Sequence, residues 1–102
     1  MSDEKIVIVA RLKVQENAVD ETKKAALGIV ADSRAEKGCL NYDIHQAIGD
    51  PTVFIWHETW ANKAAIDEHF EKSFFKEFFA AVEGFAAEPP QITLTKMITE
   101  KA

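Results

Sequence analysis

Residues 53–60 alternate strictly, and a helix start follows two residues later; this strand-into-helix unit constrains the fold more than any other stretch. Val53, Ile55, His57 and Thr59 point to one face of the strand, and Phe54, Trp56, Glu58 and Trp60 to the other. β-branched and aromatic side chains dominate it, as a pleated, half-buried surface requires. Asn62 then offers an N-cap oxygen to a helix that carries Ile66, His69 and Phe70 on one face. A helix folding back over the sheet brings His69 toward Glu58 and Trp60, and that arrangement defines a pocket.

The other segments supply a sheet for this strand to join. Lys5 to Val14 reads as a strand with Ile6, Ile8, Ala10, Leu12 and Val14 on one face, and its first half is apolar on both. Asn17 is a candidate N-cap for a helix running to about Lys37, with Asp20 and Glu21 in its first turn, where the helix dipole favours acids. Gly38 is expected to end it in a left-handed conformation. Cys39 to Ala47 alternates again: Leu40, Tyr42 and Ile44 on one face, Asn41, Asp43 and His45 on the other. The turn residues Ile48-Gly49-Asp50-Pro51 then predict an antiparallel hairpin with 53–60. The helix that carries His69 is expected to break and restart near Ser73, and Gln91 to Thr99 reads as a last strand with Ile92, Leu94 and Ile98 on one face. The order β-α-β-β-α-β predicts an α+β, ferredoxin-like domain over residues 1–102, with a four-stranded antiparallel sheet. Two helices cover only one sheet face, yet the first and third strands are apolar on both. The sheet of a second copy resolves this, giving a homodimer in the form of a dimeric α+β barrel.

Composition sets outer bounds. The 102 residues carry a net charge of −5 with no basic patch, which disfavours nucleic acid and anionic membrane surfaces as partners. No apolar run approaches the roughly 20 residues of a membrane span, and the opening MSDEK lacks a secretory pattern. A single cysteine, Cys39, forms no intramolecular disulfide, so a reducing, cytoplasmic setting is expected.

Among groups that carry chemistry, His45, His57 and His69 lack helical metal-ligand spacing, and no metal is expected. Cys39 follows a helix-ending glycine rather than opening a helix, which suits an inert thiol. The four scattered glycines form no phosphate loop. Phe70, Phe74, Phe75, Phe78, Phe79 and Phe85 exceed one helical stripe, so that helix either fills the core, lines a pocket for a flat ring, or buries itself in an interface.

Gly38-Cys39-Leu40-Asn41-Tyr42, followed by Glu58-Thr59-Trp60 and then Ala65 and His69, resembles the antibiotic biosynthesis monooxygenase family, nearest its small quinol monooxygenase-like branch. The resemblance covers nearly the whole chain. It implies a ferredoxin-like subunit, an obligate homodimer, and a pocket between sheet and helices in which electron-rich phenols are oxygenated with molecular oxygen, without metal, flavin or other cofactor. It points to His69 as the catalytic base, with Trp60, Asn41, Tyr42, Glu58 and Phe74 as substrate-binding residues. Strand alternation sets Asn41 and Tyr42 on opposite faces unless a bulge intervenes. Ala10 stands where antibiotic-pathway and haem-degrading members carry an asparagine. The haem-degrading branch also has a histidine where Phe79 stands, so haem degradation is not expected. Phe74 occupies the place of a second histidine of the quinol branch. The expectation is a cofactor-independent monooxygenase of a quinol-like or polyphenolic aromatic. The alternatives are a dimer that binds an aromatic metabolite without turnover, as in a stress response, or an isomerase of a small oxygenated metabolite.

Overall fold

A computed structural model describes residues 4–99. The strands are β1 (Ile6–Lys13), β2 (Cys39–Gln46), β3 (Val53–Trp60) and β4 (Gln91–Thr95); the helices are α1 (Val19–Leu27), α2 (Val30–Arg34), α3 (Lys63–Glu71) and α4 (Ser73–Glu83). The sheet order is β2-β3-β1-β4 with every neighbouring pair antiparallel, which is the ferredoxin-like arrangement. The β2–β3 hairpin turns through Asp50, whose carboxylate accepts from the Thr52 amide and hydroxyl and from Lys13 Nζ. The Lys13 and Thr52 hydrogen bonds hold that carboxyl well below the usual range. Among the described residues no helix is long and apolar enough to cross a membrane.

The register sorts the sheet into two faces. Ile8 lies opposite Glu58, Leu12 opposite Phe54, and Tyr42 opposite Glu58, so these side chains share the face that also carries Trp56 and Trp60. Ile8, Leu12, Tyr42, Phe54, Trp56 and Trp60 form one buried cluster with Ala26, Ile66, Phe78 and Val82 from the helices. Trp60 is completely buried, and burial of so large an apolar side chain contributes about 3 kcal/mol. The opposite face carries Val7, Val9, Ile55, His57, Thr59 and Asn41; among the described residues the buried core cluster includes none of these six, and Val9 stays 41% exposed.

Four local expectations are corrected. Asn17 lies inside a 3-10 turn (Glu16–Ala18), and no side chain caps α1. The first helix does not run unbroken to Lys37: it is interrupted at Gly28-Ile29 and ends at Arg34. Gly28 is a poor helix former, and Arg34 leaves the helix end to donate to the Tyr42 carbonyl and the Asp43 carboxylate of β2. Gly38 has a negative φ, so its role is not a left-handed turn. Leu40 does not share a face with Tyr42: the register shifts between Cys39 and Asn41, placing Cys39 opposite Trp60 and leaving Leu40 exposed. Two further elements match in existence and differ in detail. The break between α3 and α4 falls at Lys72, whose backbone is extended (ψ 139°), without a side-chain cap from Ser73. β4 ends at Thr95, and Ile98 lies beyond it, exposed.

Candidate functional site

The start of α3 is fixed by Asn62, whose Oδ1 accepts the Ala65 amide at 2.9 Å, as a side-chain N-cap. The helical period then turns Ala65, Ile66 and His69 inward, and all three are buried. His69 has no exposed surface, and five aromatic rings surround its imidazole. Ring centroids lie at 4.6 Å for Trp60, 5.0 Å for Phe75, 5.7 Å for Phe70, 5.9 Å for Tyr42 and 6.1 Å for Phe74.

The two imidazole nitrogens differ. Nδ1 is 2.5 Å from Oε2 of Glu36. Nε2 is buried and has no hydrogen-bond partner among the described residues, a costly state for a polar atom. Burial pushes the His69 pKa below its ordinary value, against the Glu36 hydrogen bond that pulls it up. Beside it on β3, Glu58 Oε1 accepts from Trp60 Nε1 at 2.8 Å. Burial pushes the Glu58 carboxyl up to about 7, although the Trp60 hydrogen bond works the other way. The Tyr42 hydroxyl accepts from Trp56 Nε1 at 3.2 Å, and burial raises its pKa strongly. Cys39 is half-buried, and its thiol is raised by burial and by the neighbouring Glu36 and Glu58 charges.

Of the residues expected at the site, His69, Trp60, Tyr42, Glu58 and Phe74 are brought together between sheet and helices. Asn41 is not: it faces the other side of the sheet, where its Nδ2 donates to the His57 carbonyl at 3.0 Å and lies 3.1 Å from His57 Nδ1. The bulge falls before Asn41, so it does not turn Asn41 toward Tyr42. The space between His69 and Trp60 is filled by the two rings themselves, so a bound ring enters only by displacing side chains. Phe74 and Phe75 of α4 are half-buried, and α4 is joined to α3 through the extended Lys72. Glu36 was missed by sequence reasoning. It lies 33 residues from His69, in the short connection between α2 and β2, and no spacing rule pairs residues so far apart. Among the described residues no three His, Cys, Asp or Glu side chains cluster to hold a metal ion.

The site is a buried, carboxylate-paired imidazole inside an aromatic shell, on a ferredoxin-like α+β fold. The model of the family "Antibiotic biosynthesis monooxygenase" matches residues 5–81, and the chain belongs to that family. The Bacillus subtilis protein named "Putative monooxygenase YcnE" is 30% identical over 92 residues, covering 90% of this chain and 97% of its own. The Synechocystis protein sll1783 is 29% identical over 96 residues, covering 94% of this chain; the chain spans 65% of that protein's length. The structure of Rv0793 from Mycobacterium tuberculosis superposes with a TM-score of 0.91 at 20% identity, covering 97% of this chain and 100% of that one, and so shows the shared fold.

Proposed function

We propose that the protein is a cofactor-independent monooxygenase that oxygenates a quinol-like or polyphenolic aromatic, working as a homodimer. One observation carries this reading: the base-competent Nε2 of His69 is buried inside a shell of five aromatic rings, without a hydrogen-bond partner among the described residues. A flat phenol that displaces Phe74 and Phe75 stacks in that shell and offers its acidic proton to Nε2. Removing the proton leaves an electron-rich anion that passes electrons to molecular oxygen. A carbon–oxygen bond then forms to give a hydroperoxide at the ring carbon. The proton returned by His69 completes that hydroperoxide, and loss of the carbon-bound proton together with the terminal hydroxyl, as water, leaves a carbonyl. One oxygen atom ends in the product and the other in water. The protein's part is to bind the ring, take and return a proton, and exclude bulk water. Trp60 and Tyr42 wall the ring, the displaced Phe74 packs against its outer side, and Glu58, near neutrality, is a second proton-holding group beside it.

The homodimer is supported by apolar side chains that the second sheet face leaves exposed or half-buried, Val9 and Ile55 among them. The complete burial of His69 favours a second reading, in which the same shell holds an aromatic metabolite without turnover. Oxygen uptake with a panel of hydroquinones and anthrone-like phenols separates the two. Uptake above the spontaneous rate that is lost in His69→Gln supports catalysis. Saturable binding, seen as quenching of the fluorescence of Trp56 and Trp60, with no uptake for any member supports the binding reading.

A further inference from the structure

The connection that carries Glu36 is held rigidly. The Glu36 amide donates to the Ser33 carbonyl at 3.1 Å, the Glu36 carbonyl accepts the Cys39 amide at 3.0 Å, and the Gly38 carbonyl accepts the Ala61 amide at 2.9 Å. These bonds lock residues 36–39 to the end of β3, immediately before the Asn62 cap of α3. The Glu36 side chain is almost wholly buried, 9% exposed, and reaches His69 Nδ1. A carboxylate only accepts hydrogen bonds, so the proton of a neutral His69 sits on Nδ1, and the Nε2 lone pair faces the aromatic shell.

We infer that Glu36 is the positioning residue of His69: it fixes the Nδ1–H tautomer, so that Nε2 is the basic atom, and it stabilises the imidazolium formed when Nε2 takes a proton. The role rests on the reading of His69 as the base given under Proposed function. It is supported by geometry of the kind in which a buried carboxylate orients a catalytic imidazole. Without an acceptor at Nδ1, a histidine is free to place its proton on Nε2, where it blocks proton abstraction. The other ionisable groups facing this pair are Glu58 on β3, Cys39 and Tyr42 on β2, and Lys72 at the end of α3. Of these, none is hydrogen-bonded to the imidazole. Among the described residues Glu36 alone makes that bond.

The test is ¹⁵N NMR of the full chain labelled in its three histidines, with the His69 signals assigned by their disappearance in His69→Gln. In the native protein the neutral His69 should carry its proton on Nδ1, and in Glu36→Ala the proton should move to Nε2. The isosteric Glu36→Gln, which preserves packing and removes the charge, should titrate His69 at a lower pH than native. With a substrate that is turned over, Glu36→Ala should lower kcat at least about tenfold, up to the roughly 10²- to 10⁴-fold of losing a base, with KM nearly unchanged. The acid limb of its kcat profile should shift to lower pH. A native His69 protonated on Nε2 overturns the inference, as does an unchanged His69 titration in Glu36→Gln; the first is read on the native protein, with His69→Gln serving only to assign the signals. Because the NMR readout needs no turnover, absence of oxygenation with every phenol defeats the proposed reaction without deciding the role of Glu36.

Discussion

Gly38 lies so close to Ala65 that a Cβ added at position 38 would stand 2.3 Å from the Ala65 Cβ. The contact joins the connection that carries Glu36 to the helix that carries His69. No side chain fits between them, and Ala65 has no rotamer through which to yield. Gly38→Ala should therefore push the two elements apart and destabilise the fold by about 1–3 kcal/mol, the usual cost of overpacking. Urea denaturation measures the loss, and the histidine spectrum should show weakened Nδ1–H character at His69. Unchanged stability would mean that the backbone relaxes there at no cost.

His69→Gln keeps a hydrogen-bonding side chain of similar size and removes the base. With a turned-over phenol, kcat should fall by roughly 10²- to 10⁴-fold while circular dichroism and sedimentation stay native. Turnover equal to native assigns His69 a purely structural role.

Two of the buried ionisable groups, Glu58 and His69, pull stability in opposite directions with pH. Burial raises the Glu58 carboxyl from its ordinary value of 4.5 to about 7. Between those limits the native state holds a proton that the unfolded chain has lost. The Glu58 contribution is thus full below about pH 4.5 and declines by roughly 3 kcal/mol as pH rises through 7. His69 behaves oppositely. Its folded pKa lies below the ordinary 6.5, so its contribution is present above that pH and is lost as pH falls through the folded value. Glu58→Gln isolates the first effect: urea denaturation should find it close to native at pH 5 and more stable than native at pH 8. A constant difference between the two pH values would show that Glu58 is not held protonated.

The open sheet face should bury itself against a second copy. Sedimentation at micromolar concentration should give a species near twice 11.4 kDa, and dilution should lower apparent stability, because obligate dimers rarely keep a folded monomer. Val9→Glu places a carboxylate in the middle of that face and should shift the protein toward monomer. Native protein sedimenting as a clean monomer rules the dimer out.

Much of this molecule was legible in local pattern. The period-two alternation of 53–60 fixed β3 to the residue and assigned Glu58 and Trp60 to one face, because strand geometry leaves an alternating segment no other way to bury Phe54 and Trp56. The Asn62 cap and the 3.6-residue period aimed Ile66 and His69 inward, and the order of elements then left few topologies to choose from. Tertiary structure decided the rest, where two distant segments compete for one space. The bulge at Leu40, the early end of the first helix at Arg34, and the need for glycine at 38 all arise from contacts across the chain with Trp60, Tyr42 and Ala65. The pairing of Glu36 with His69 belongs to the same class. Local sequence determines which way each side chain points, and only packing brings together two that are 33 residues apart.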